Sequence, residues 1–173
     1  MTHQDTGRFE GLILPHLDDA YTLARYLLRD EHDAQDAVQD AGLRAFQYFG
    51  SYRDGDARAW FLVIVRNCCH DRRRKRIDRV TEQLVDDQIP TLRDSDGADT
   101  AAIIDSERTA VARCVAALPV EFREVVVLRE IQQLSYSEIS DIVGVPIGTV
   151  MSRLARARKR LAAMLGGNAK EAG

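Results

Sequence analysis

The sequence predicts an all-α protein of two small helical domains joined by a flexible linker. Three observations carry that expectation. Apolar residues recur at helical spacing in two blocks, from about Phe9 to Asp78 and from about Ala101 to Leu165. Prolines number only 4 in 173 residues, and no segment alternates long enough to suggest a strand. Between the blocks, "LVDDQIPTLRDSDGADT" combines Pro, Gly and Ser with five Asp and loses the periodicity, as a flexible acidic tether would. The expected division is residues 1–80, a linker over 81–102, and residues 103–173.

In the first block, Pro15 is placed to open a helix that runs to about Leu28. A second helix follows from about His32 to Phe49, with Ala34, Ala37, Val38, Ala41 and Ala45 on one face. Asp33, Asp36 and Asp40 line an adjoining face, where they are either solvated or waiting for a basic partner. "GSYRDGDAR" carries two glycines and reads as a loop in which Tyr52, beside Arg53, is either an exposed aromatic or packs under the loop. A third helix runs from about Ala57 toward Ile77. At about 100° per residue, Phe61, Leu62, Val65, Cys68 and Cys69 share its apolar face, while Arg66, Asn67, His70, Arg73 and Arg74 lie opposite.

In the second block, helices are expected near Ile103–Ala117, Val120–Ile131, Ser137–Val143 and Ile147–Leu165. Ser135 or Ser137 can cap the third of these, and Ile139, Ile142 and Val143 form its buried face. Gly144 can take the left-handed conformation that ends it, and Pro146 suits the start of the next helix. Ile147, Val150 and Leu154 then recur on one face, with Ser152, Arg153 and Arg156 turned away from it. Two short helices around a glycine turn, the second basic outside, describe a helix-turn-helix whose arginines can reach phosphates and base edges.

The net charge of −3 hides a strong segregation. Arg66–Arg79 holds seven Lys/Arg against two Asp, and Glu82–Asp105 holds seven acids against one Arg. After Asp141 no acid occurs before Glu171, while Arg153, Arg156, Arg158, Lys159 and Arg160 cluster. The longest apolar run, "AWFLVIV", is too short to span a bilayer, and the first residues lack the pattern of a signal peptide, so no membrane insertion is expected and the expected location is the cytoplasm. Three cysteines, two of them adjacent, do not make a secreted disulfide framework.

"LPVEFREVVVLREIQQLSYSEISDIVGVPIGTVMSRLARARKRL" resembles region 4 of extracytoplasmic-function (ECF) sigma factors, and "LLRDEHDAQDAVQDAGLRAFQYFGSYRDGDARAWFLVIVRNCCHDRRRKR" is similar to their region 2. The resemblance implies a dissociable subunit of bacterial RNA polymerase, not an enzyme, that directs promoter recognition and melting. It implies that Asp36, Gln39, Asp40 and Leu43 dock on the clamp helices of the β′ subunit of core polymerase. Tyr52, Arg53, Asn67, His70, Asp71, Arg73 and Arg74 would contact the −10 element, with the Arg72–Arg76 run along its phosphates. Thr149, Ser152, Arg153, Arg156, Arg158 and Lys159 would contact the −35 element. An anti-sigma factor is the further partner it implies, and neither a cofactor nor a homo-oligomer is required. Met151 stands where the family commonly carries Lys or Arg, and Ala155 is small for a DNA-facing position.

Two other readings compete: a sigma-like decoy that binds only an anti-sigma factor, and an ordinary helix-turn-helix regulator. A decoy would have lost its basic faces, and a simple regulator would leave the acid-striped domain unused. "RNCCHDRRRKR" invites a metal or redox reading as a string. On a helix, Cys68 and Cys69 point with the apolar residues and His70 points away, so this segment alone cannot gather them at one metal, and no metal site is assigned.

Overall fold

The computed structural model describes residues 3–84 and 106–171, and the chain divides into two compact units, residues 1–98 and 99–173. All regular structure in the described residues is helical.

The first unit contains α1 (His3–Ile13), α2 (Leu17–Leu28), α3 (Glu31–Tyr48) and α4 (Ala57–Leu84), with short 3₁₀ turns at Leu14–His16 and Phe49–Ser51. α1 is the element the sequence under-predicts. Its two glycines and its weak apolar pattern conceal a helix that buries Phe9 and Ile13, at i and i+4. Pro15 sits in the 3₁₀ turn, so α2 begins two residues later than the proline suggests. α2 ends where Arg29 adopts φ 59°, and the Asp30 side chain then accepts the Asp33 N–H at 2.8 Å to cap α3.

Packing follows the alanine stripe. Ala34, Ala37, Ala41 and Ala45 are fully buried, and such small side chains let α3 lie close against α2 and α4. Leu23, Leu27, Phe61, Leu62 and Val65 fill the space between them. α4 continues to Leu84, so the first four residues of the expected linker are helical. The rest of that linker, and the start of the helix expected at Ile103, lie outside the described residues.

Cys68 and Cys69 are buried in this core, as the helical reading expects. Burial, and then the neighbouring Cys68, push the Cys69 thiol up to about 12. Its ordinary value is 9.0, so the fold favours the neutral thiol. That contribution is complete below the ordinary value and is lost as pH rises toward the folded one. We expect no alkylation of Cys69 at pH 8 until the domain is unfolded, and a stability that declines above pH 9 in urea titrations.

The second unit contains α5 (Ser106–Ala117), α6 (Val120–Val126), α7 (Tyr136–Val143) and α8 (Ile147–Glu171). α6 runs on into a π-helical turn, Val127–Ile131, closed by the Gln132 N–H donating to the Val127 carbonyl at 3.0 Å. Ser135 and Glu138 form a reciprocal capping box on α7, which settles the choice between Ser135 and Ser137. Gly144 ends α7 at φ 75°, and a Cβ there would be strained whatever the space around it. The buried guanidinium of Arg123 donates twice to the Leu118 carbonyl, at 2.8 and 3.2 Å, fixing the α5–α6 corner.

Candidate nucleic-acid interface

α3 presents two opposed faces. The alanines are buried, while Leu43 is 60% exposed and Gln39 is exposed beside it. The carboxylates on this side are not an unshielded stripe. Arg72 of α4 places one nitrogen 2.7 Å from Asp40 and the other 3.6 Å from Asp36. Arg44 and Asp71 make a second link between the two helices, at 3.3 Å. Two residues expected along the −10 DNA are paired within the fold. Arg72 faces α3, and Asp71 is engaged with Arg44 and, at 3.7 Å, with Arg74. Thirty-two residues separate Arg72 from Asp40, so no local spacing announces the pair.

In the loop after α3, the packed reading of Tyr52 fits: it is half-buried, its ring stacking on Phe49 at 5.8 Å and tilting against Trp60 at 5.2 Å. Its hydroxyl donates to the Gly55 carbonyl at 2.6 Å, which closes the loop on itself. The ring face stacked on Phe49 is therefore already occupied. Arg53 at the tip is exposed. On α4, Asn67 and Arg74 are exposed, and His70 and Arg73 are half-buried. One η nitrogen of Arg73 is buried without a hydrogen-bond partner among the described residues.

In the second unit, Val150, Leu154 and Ala157 bury the inner face of α8. Ile147, expected on that face, is exposed because it begins the helix beyond the reach of the core. Ser152, Arg156 and Lys159 stand outward, and Thr149 is half-buried, its carbonyl accepting from the Ser152 hydroxyl at 3.0 Å. Arg153 turns inward to within 3.9 Å of Glu124, whose side chain is almost wholly buried, a partner its place on the outer face does not announce. Arg158 is exposed but held by a forked contact to Glu130, at 2.6 and 3.0 Å. Met151 is 52% exposed in line with Ile147, leaving an apolar strip where a cation was expected. The burial of Glu124 was hidden in the sequence because "FREVVVLRE" gives it the look of a solvated helix residue.

A helix-turn-helix with a cationic outer face defines a DNA-binding protein, and the companion unit adds an acid-faced helix to it. The comparisons sharpen this class. The model of Sigma-70 region 2 matches residues 12–78, and that of Sigma-70 region 4 matches residues 108–161. The chain is 39% identical over 163 residues to the ECF RNA polymerase sigma factor SigM of Mycobacterium tuberculosis, covering 94% of this chain and 79% of that protein. Among solved structures, it is similar to the sigma factor RpoE of Bartonella quintana in complex with the anti-sigma factor NepR, with TM-score 0.75 and 26% identity over 92% and 97% of the two chains. It is also similar to CnrH in complex with the cytosolic domain of CnrY, with TM-score 0.66 and 27% identity over 92% and 88%. The chain belongs to the ECF sigma factor family of RNA polymerase. It is a transcription regulator that directs promoter recognition, and the helix-turn-helix is its region 4. Among the described residues, no helix is long and apolar enough to cross a membrane.

Proposed function

We propose that the chain docks on core RNA polymerase through the outer face of α3 and reads its promoter with two separate surfaces. Leu43 anchors the docking, and Asp36, Gln39 and Asp40 surround it. Arg72 competes for the same carboxylates, so basic groups on the clamp helices must displace or share it. Arg53, Asn67, His70, Arg73 and Arg74 bind the unstacked −10 strand, with Tyr52 shaping the loop and Asp71 orienting Arg74. Ser152, Arg156 and Lys159 meet the −35 duplex directly. Arg158 joins them by exchanging Glu130 for a phosphate, and Arg153 and Thr149 hold the helix in register.

The observation that carries this reading is the two-faced α8: a fully buried Val150–Leu154–Ala157 side opposite the outward Ser152, Arg156 and Lys159. Run-off transcription with purified core polymerase on a genomic fragment library tests it. Discrete start sites that require both the chain and core support the reading, and a chain that never binds core defeats it. Control by an anti-sigma factor is a further part of the proposal, supported by the complexes in which the related RpoE and CnrH were solved. The expected site of action is the cytoplasm.

The apolar strip makes a quantitative expectation. M151R should add one phosphate contact, tightening −35 binding across all sequences and steepening the slope of log affinity against log salt by about 1. Titrations of the holoenzyme on duplex DNA at several salt concentrations check it.

A further inference from the structure

We propose that α1 is a brace for the loop at residues 49–56, and that Arg8 is a positioning residue for capture of an unpaired −10 base. The inference rests on the reading of that loop given above. It concerns residues that precede the segment matched by the region 2 model, which starts at residue 12.

Phe9 is buried and meets Phe46 and Phe49 edge-on, with ring centroids 5.2 and 5.3 Å away. Phe49 stacks on Tyr52, and Trp60 of α4 packs against both, at 6.4 Å from Phe49 and 5.2 Å from Tyr52. An aromatic chain therefore runs from α1 through the loop to α4. Arg8, next to the anchored Phe9, does two things at once. Its guanidinium lies 5.8 Å from the centre of the Phe49 ring, and it pairs with Asp54 at the loop tip.

Further contacts of the tip are local. The Tyr52 hydroxyl accepts the Gly55 N–H at 3.3 Å while donating to its carbonyl, and Asp56 accepts the Ala59 N–H at 3.1 Å as α4 begins. These set the curvature of the loop and tie it to itself and to α4. Arg8–Asp54 ties the tip to a third helix. The tip carries Arg53, the exposed cation next to Asp54. A base pocket that must select one base over the others needs its walls held in place before the base arrives, because loop ordering otherwise detracts from binding.

An exposed ion pair is a weak device, so the expected effect is modest and specific. In holoenzyme assembled from wild-type core, the affinity for single-stranded −10 oligonucleotides differing at one base is compared. R8Q and D54N should each lower the preference for the best base by about two- to fivefold, the range such a pair can transmit. The double variant R8Q/D54N should lose no more than either single one, and the swapped pair R8D/D54R should recover at least half the loss. Core affinity and melting temperature should not move. Hydrogen exchange at residues 51–56 should quicken in R8Q. A preference unchanged in R8Q, or a swap that recovers nothing, overturns the brace while leaving the promoter reading intact. A wild-type holoenzyme with no base preference at any −10 position overturns both.

Discussion

Replacing Leu43 with Glu is expected to weaken binding to core RNA polymerase by about ten- to a hundredfold, in the range of an interface hot spot. Leu43 is a large apolar side chain held out in solvent on a helix whose opposite face is tightly packed. Such a residue contributes little to the isolated fold, so the melting temperature should stay the same. It contributes fully where a partner covers it. The Glu carboxylate would also have to be desolvated beside Asp36 and Asp40, adding like-charge repulsion. Fluorescence anisotropy of labelled protein titrated with core measures the loss. Anisotropy curves that superimpose on wild type would place the docking surface elsewhere.

The second large effect separates two arginines that the sequence treats alike. R156A should cost about 1–3 kcal/mol of −35 affinity and relax selectivity at the base it touches, with no change in melting. Arg156 is fully outward on α8. R153A should do the opposite. Arg153 is a near neighbour of the Glu124 carboxylate, which is 1% exposed. Removing the cation leaves a buried charge less compensated, at about 1–3 kcal/mol of region 4 stability. For a domain of this size each kcal/mol corresponds to roughly 4–8 °C in melting temperature. Thermal unfolding followed by duplex binding below the transition distinguishes the cases. R153A that melts like wild type yet fails to bind DNA would restore Arg153 to the reading surface.

Most of the fold was legible because it is written in short-range patterns. The alanine stripe of α3, the apolar face of α4 and the Gly144 turn each announce themselves within a few residues. α1 was not legible, since a helix held by Phe9 and Ile13 takes its stability from tertiary packing and not from its own pattern. The site was legible in location and less so in detail. Residue types on a helix face tell which side chains can reach a ligand. They do not tell which are already occupied by a residue far along the chain. Arg72 on Asp40, Arg153 beside Glu124 and Arg158 on Glu130 are all of that second kind. Tyr52 is another, because the ring whose packing "SYRDGDAR" leaves open is stacked on Phe49. The burial of the paired cysteines follows from helical phase alone, which is why their position in the core was expected.

On the proposed reading, the chain opens promoter DNA only when α3 is docked on core polymerase. Permanganate reactivity of thymines in the −10 region of a promoter recovered by run-off transcription tests it most directly. Reactive thymines are expected with wild-type chain plus core, none with either alone, and a loss in L43E that higher core concentration restores. Thymines that react with the chain alone, or equally with L43E and wild type at limiting core, would contradict it.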